Sequence, residues 1–504
     1  FWLLHPLQVS TVLYVVQRYT LLSTLFSLLA LLAYTKGRVW MTSRPMLGVA
    51  VAAIGVIGFT LCGLFSKETA ALIPLMLLCV EHFIFQWRFG PSPKQGRAAW
   101  LTLALLLVPV VVGTLFAVTH FSQFVGGFAQ HDFTMGQRLL TQPHVIALYL
   151  GQIFIPVPSS MSLFHDAFPI TLQLDSSTAL LAIGYALAVL IALALRSRAP
   201  WFGFAVIWFF ACHALEASFL PLEMVFEHRN YLAILGPALL VVLGVLALLG
   251  SPTLHRLRIP ALALVLLMLG MNTASRATVW GNEPLMLHLE YQRRPSSPRV
   301  LAGLAILEMR HGNLATADRY VAELRATGLA SAGPELMRIG FRCNERAPAR
   351  LMQPKLMDRQ LVDAAIASLD AHRTDAFAAQ SLIKLANAVF QDDCPQLGAT
   401  QLHRLAAAAR HSSPSPSGFR CSAAGIAALA LLHARSTDQL RQPVHQALAD
   451  CRQTSPFRYP KLLQNLLVIS ARTDQLPLLL DVLRDSPGMR PEDLAAADLP
   501  PWLR

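Results

Sequence analysis

Charge is what this chain has least of. Asp, Glu, Lys and Arg together make up 14% of its 504 residues, against 54% apolar residues. Acidic residues are the scarcer sign, 29 against 41 Lys and Arg, which leaves a formal net charge of +12. Mean hydropathy of +0.48 with so little charge fits a membrane class. No Gly-rich phosphate loop follows a strand and no basic–aromatic RNA-binding signature occurs, so nucleic acid is not an expected partner. None of the cysteine spacings resembles a zinc site, and no metal ligand set is expected. A cleavable signal peptide and a start methionine are both missing: the chain opens Phe1-Trp2, which leads us to expect an upstream segment.

What is present is a succession of apolar runs over the first 280 residues, followed by a polar, alanine-rich remainder. Runs of 17 to 22 residues are long enough to cross a hydrocarbon core as helices. Eight spans are expected, at 19–35, 46–65, 69–87, 98–119, 178–195, 201–222, 232–250 and 260–279. A ninth stretch, 143–158, is shorter and carries Gln152, Pro156 and Pro158. Short cytoplasmic loops hold an excess of Lys and Arg. If 143–158 is re-entrant or interfacial, Lys36, Arg38, Arg44, Arg88, Lys94, Arg97, Arg196, Arg198, Arg256 and Arg258 all fall on one side. The opposite loops then keep only Lys67, Arg138 and Arg229. Residues 1–18 and everything after Trp280 are thereby expected outside the cytoplasm, in a periplasm.

Cys62, Cys79 and Cys212 lie within apolar runs, where a small buried hydrophobe is the ordinary reading. Cys343, Cys394, Cys421 and Cys451 lie in the polar half, an even number suited to two disulfides in an oxidising compartment, with three pairings open. From about Ser297 the pattern is of short amphipathic helices. Leu301, Leu304, Ala305 and Leu307 form one stripe, Gly312-Asn313 a break, and Ala317, Tyr320, Val321 and Leu324 the next. This segment, RVLAGLAILEMRHGNLATADRYVAEL, resembles a tetratricopeptide repeat, although no strict 34-residue period follows. Helical hairpins are expected near 359–391, 398–434 and 436–485, with Ser412–Gly418 an exposed loop. Such repeats bind a protein or peptide on a concave face; a packing module without ligand is the alternative.

Under this topology the polar clusters of the first half gather at the outer face. They are HPLQVSTVLYVVQR before the first span, Ser66-Lys67-Glu68-Thr69 in a tight hairpin, His131-Asp132, Gln137-Arg138 and His165-Asp166, and PLEMVFEHRNYL from Pro221 to Leu232. Ionisable groups at a bilayer boundary are costly, so several on one face point to a site for a charged ligand. Lys and Arg suit a phosphate, Arg through its planar fork. The plainer reading has Arg18 and Arg229 reaching to the interface and Lys67 paired with Glu68. Glu216 and His213, three apart inside an apolar run, are expected to form a local hydrogen-bonded pair.

The segments HPLQVSTVLYVVQRYTLLSTLFSLLALLAY, SKETAALIPLMLLCVE and EHRNYL, followed by repeats, resemble the bacterial relatives of the transmembrane-and-tetratricopeptide O-mannosyltransferases. The resemblance implies an all-α, GT-C-like polytopic bundle over 1–280 and a periplasmic repeat domain over 281–504. It implies a hexosyltransferase of a bacterial inner membrane, taking sugar from a polyprenyl-phosphate lipid. It also implies a donor pocket: Lys67, Arg229 and Arg18 toward the phosphate, with His5, Glu68, Glu227, His228 and Arg138 lining it. Its catalytic carboxylate, in the first outer loop of such enzymes, is expected upstream of Phe1. No cofactor beyond the lipid-linked donor is implied, and a divalent metal is left open. The acceptor, protein or glycan, is expected on the repeats. An O-antigen ligase or polymerase and a non-enzymatic envelope scaffold are the alternative functions.

Overall fold

The computed structural model describes residues 1–128, 131–250, 255–343, 358–413, 418–436, 439–454, 458–486, 489 and 493. It is 77% helix, with no strand among the described residues. The chain divides into two compact units, Phe1–Pro295 and Ser296–Arg504.

The first unit holds α1 (Gln8–Leu13), α2 (Arg18–Trp40), α3 (Pro45–Leu64), α4 (Ile73–Val80), α5 (Pro93–Thr119), α6 (Phe121–Gly127), α7 (Met135–Phe154), α8 (Ser176–Ala194), α9 (Pro200–His213), α10 (Asn230–Ala233), α11 (Leu235–Leu248), α12 (Arg258–Trp280) and α13 (Glu283–Arg293). Six segments are long and apolar enough to cross a bilayer: Val15–Trp40, Pro45–Leu64, Glu68–Phe85, Pro93–Thr119, Ser176–Ala194 and Ile259–Trp280. A seventh arises if Glu227–Ala233 and Leu235–Ala247, bent by 59° at their junction, count as one broken span. Helices suit such runs because every backbone N–H and C=O is satisfied within the segment.

The expected run at 201–222 is not one helix. Helix α9 stops at His213 after 14 residues, roughly 21 Å at 1.5 Å per residue. Past it, the Arg138 guanidinium collects backbone carbonyls of the descending chain: Glu216 at 2.6 Å, Ser218 at 3.2 Å, Leu222 at 2.5 Å and Glu223 at 3.0 Å. Carbonyls committed to a buried guanidinium are lost to a helical ladder, so the segment stays irregular. Residues 143–154 of the 143–158 stretch belong to α7, which starts earlier, behind a capping box of Thr134 and Gln137, and residues 155–158 leave the helix. Its inward stripe includes buried Arg138, Thr141, Gln142 and Gln152, and the helix is not among the six apolar candidates.

Small residues bring α2 and α3 into backbone contact, as is common where apolar surface alone gives no drive to associate. A Cβ added to Gly48 would lie 2.4 Å from the Gly37 carbonyl oxygen. Arg38, counted above as a loop charge, is instead buried within α2. Its Nε lies 2.9 Å from Glu81 Oε2, its NH2 donates to Arg88 O at 2.7 Å, and Tyr34 donates to the same carboxylate at 2.7 Å. Helix α13 packs with this unit: Ser162 Oγ donates to Glu290.

The second unit holds α14 (Pro298–Arg310), α15 (Leu314–Ala326), α16 (Gly333–Cys343), α17 (Arg359–Ala371), α18 (Ala376–Phe390), α19 (Ala399–Ser412), α20 (Gly418–His433), α21 (Arg441–Thr454), α22 (Tyr459–Arg472) and α23 (Leu476–Arg484). The two expected stripes are the buried faces of α14 and α15. Gly312 turns the chain between them at φ +81°, a conformation that costs glycine little. The stretch 436–485 makes three helices rather than a hairpin. Of the expected Ser412–Gly418 loop, Ser412 ends α19, Ser413 is buried and Gly418 begins α20; residues 414–417 lie outside the described residues. Cys343 pairs with Cys394, and Cys421 with Cys451.

Candidate functional site

Lys67 owes its direction to a tight reversal. Helix α3 ends at Leu64, and the N–H groups of Ser66 and Lys67 both donate to Gly63 O, at 2.9 and 2.8 Å. Gly63 is the contact point of that reversal, since a Cβ there would meet the Ala70 Cβ at 2.6 Å. Lys67, in extended geometry, turns inward and is buried, while Glu68 beside it begins the next turn and faces outward. Arg229 closes a 3₁₀ turn, Glu227–Arg229, and is also buried.

Between these cations lies Glu216. Lys67 Nζ is 3.1 Å from its Oε1, and Arg229 Nε is 4.0 Å from the same atom. Arg229 is held in place by donating to Met224 O at 3.0 Å and Glu223 O at 2.6 Å. The Glu216 main chain is fixed in turn by Arg138. Burial alone would raise the Glu216 carboxyl, but Lys67 and then Arg229 outweigh it and hold it below the usual carboxylate range.

These groups line a small cleft together with His228 and one face of α2. That face carries Thr20, Ser23, Thr24 and Ser27, a hydroxyl stripe at helical spacing within an apolar span. The cleft holds about 40 Å³ of space, room for a few waters. It continues through Ser27, Met76 and Leu232 into an apolar slot lined by Leu28, Leu31, Ile73, Leu77 and Trp208. Chemically this is a cluster of cations around one carboxylate, a stripe of hydroxyls and an adjoining apolar slot of about 10 Å³.

Of the eight residues expected to line one pocket, three meet here: Lys67, Arg229 and His228. Arg18 and Glu68 are exposed and stand outside the cleft. His5 is wholly buried as a packing residue. Its Nδ1 accepts from Leu7 N at 3.2 Å, which leaves Nε2–H to donate to Ile153 O at 3.1 Å. Burial is the main force pushing its pKa down to about 4. Arg138 spends its guanidinium on the carbonyls named above and does not line the cleft.

Glu227 belongs to a second buried cluster. Its Oε1 accepts from Ser162 N at 2.6 Å and His165 Nε2 at 3.2 Å, and its Oε2 pairs with Arg276. Arg276 also donates to Pro6 O at 2.8 Å, tying α12 to the N-terminal turn. Neither Arg276 nor the role of Glu216 follows from local pattern. Glu216 does not pair with His213, whose Nδ1 donates to Phe209 O at 2.9 Å. Lys67 does not pair with Glu68, and Arg229 does not reach for an interface. The hydroxyl stripe of α2 was legible in principle, as four polar residues at spacings of three and four in an otherwise apolar run. Among the described residues no three His, Cys, Asp or Glu side chains gather as a metal site. Comparisons with protein-family models, curated proteins and solved structures return no match to this chain.

Proposed function

We propose that the protein is a membrane glycosyltransferase that moves a sugar from a polyprenyl-phosphate carrier to an acceptor at the outer face of a bacterial inner membrane. In this reading the first unit is a GT-C-like bundle, and the second is a periplasmic, tetratricopeptide-like domain that presents the acceptor. The observation that carries it is the Lys67–Arg229 pair, buried at the mouth of a hydroxyl-lined cleft that runs on into an apolar slot. A lipid phosphate has the same order of chemistry along its length: anion, ester oxygens, hydrocarbon.

The roles follow from the charges. As the bond between the anomeric carbon and the phosphate oxygen breaks, negative charge grows on the phosphate. Lys67 and Arg229 lie where that charge would be met by preorganised cations in a water-poor setting. Of the α2 hydroxyls, Thr20 and Ser27 already donate to Gln17 and to Ser23 O, which leaves Ser23 and Thr24 to supply neutral donors to the remaining oxygens. Entry of a phosphate displaces the few waters the cleft can hold and parts Lys67 from Glu216. Glu227 is fully engaged by Arg276, His165 and Ser162, which argues for a structural duty rather than proton transfer.

The test is transfer by the full chain in mild detergent, supplied with a polyprenyl-phosphate hexose and a periplasmic protein extract as acceptor. We expect labelled sugar in the acceptor with wild-type protein and loss of at least thirtyfold in rate with Arg229→Ala, about 2 kcal/mol of transition-state stabilisation. Absence of any binding of the lipid phosphate to wild-type protein would sink the reading.

A further inference from the structure

Glu216 is an odd neighbour for a phosphate. A site built only to attract an anion has no use for a buried carboxylate between its two cations, and burying one is costly unless it is compensated. Counting the fixed charges resolves this. Lys67 and Arg229 face Glu216 across the cleft, which leaves one surplus positive charge. Behind them Arg138 feels Glu216 first and Glu223 after it, so three cations against two carboxylates still leave one surplus positive charge. The His228 imidazole, the Tyr231 phenol and the Cys212 thiol are the remaining titratable groups on the lining.

We propose that Glu216 is a charge-setting residue, which tunes the cleft to a singly charged phosphodiester and against the doubly charged monoester left when the sugar departs. This rests on the donor reading above. The stoichiometry gives the reason. A lipid phosphodiester carries one negative charge. Transfer breaks its bond to the anomeric carbon and forms one from the acceptor oxygen to that carbon. The hydroxyl proton leaves to solvent, and the lipid keeps a phosphate monoester with two charges above its second pKa, near 6. A cleft with one surplus positive charge balances the donor and is one charge short for the product. Glu216 stays on the cleft lining once a phosphate has parted it from Lys67, so the second product charge feels that carboxylate as repulsion. Product release is thereby favoured over the donor's own escape.

The measurement is calorimetric binding of a short-chain polyprenyl phosphate, and of the same lipid phosphate bearing a hexose, to the full chain in mild detergent at pH 8 and pH 5. In the wild type at pH 8 the diester should bind about tenfold tighter than the monoester. At pH 5 both ligands carry one charge and the ratio should fall about tenfold, to what the hexose alone contributes, whatever the state of His228, because that group acts on both alike. In Glu216→Gln the pH 8 preference should vanish or reverse, while Glu216→Asp, which keeps the charge, should retain it. A monoester bound as tightly as the diester by wild type at pH 8, or a preference unchanged in Glu216→Gln, overturns the proposal. If Glu216→Gln fails to fold, the double variant Lys67→Met/Glu216→Leu takes its place, and a pH 8 preference unchanged from wild type there overturns the proposal. Binding of neither ligand would refute the donor reading itself; binding of both with equal affinity refutes the role of Glu216 alone.

Discussion

Lys67 is the residue whose removal separates structure from chemistry, provided Glu216 is removed with it. Truncating Lys67 alone to Met strands a buried carboxylate, and breaking a buried ion pair by removing one partner costs about 3–5 kcal/mol. Arg229, 4.0 Å from the same oxygen, remains as partial compensation, so the low end of that range is expected. Removing Glu216 alone as Leu leaves two buried cations facing each other and should cost at least as much. The double variant Lys67→Met/Glu216→Leu removes that pair and leaves Arg229 with its bonds to Met224 O and Glu223 O. It should be more stable than the sum of the singles by about 2–3 kcal/mol, the coupling expected of residues in direct contact. Denaturant unfolding in mild detergent reads this cycle. Transfer then supplies the second readout. If Lys67 meets the departing phosphate, the double variant should fold and still lose transfer by about thirty- to a thousandfold, because a contact worth about 2–4 kcal/mol is gone from the transition state. A stable double variant with wild-type transfer would refute the reasoning, since Lys67 would then serve only to neutralise Glu216.

Arg229→Lys should recover only part of the transfer lost in Arg229→Ala, because a point charge cannot hold Met224 O and Glu223 O while facing Glu216; full activity would contradict this. Cys343, Cys394, Cys421 and Cys451 should give no free thiols in denatured, unreduced protein, and reduction should cost roughly 3–4 kcal/mol per bridge; four reactive thiols from these positions would refute the pairing. His5 gives a pH dependence. Its pKa is held down to about 4 in the fold against 6.5 unfolded. Its contribution is therefore complete above pH 6.5 and is lost as pH falls toward 4, by about 3 kcal/mol in all. Thermal midpoints between pH 7.5 and 4.5 should fall less steeply in His5→Gln, whose amide can still donate to Ile153 O; parallel curves would exclude the effect.

What the sequence made legible was local. Apolar runs of spanning length, the stripes of α14 and α15 and the tight Ser66–Thr69 hairpin all depend on residues a few places apart. Six of the eight expected spans are such segments, and a further one is the bent pair around Ile234. The eighth failed because its continuation is set by Arg138, some 80 residues earlier in the chain. The same reason hid Glu216. Its partner Lys67 lies 149 residues away, whereas the local sequence offers His213. Arg38 was misplaced for a related cause. A Lys and an Arg near the end of an apolar run read as a loop, yet the helix runs on to Trp40 because Glu81 and Tyr34 give the guanidinium a partner inside.

The two buried clusters of the first unit also show why neighbouring ionisable residues in one motif can have opposite duties. Glu227 and Arg229 are two places apart in EHRNYL, yet they turn to different sides of their 3₁₀ turn. Around Glu227 the accounts close: one carboxylate meets one guanidinium, and its other oxygen takes donors from Ser162, His165 and Gln152. Such a cluster has nothing left to offer a ligand, and its value is in joining α7, α12 and the 158–165 loop. Around Arg229 they do not close. Two cations share one carboxylate, hydroxyls line the facing helix, and space remains between them. A buried surplus charge costs free energy that a folded protein ordinarily avoids. Under the proposed function, that surplus charge and the adjoining apolar slot are the features a lipid phosphate would use.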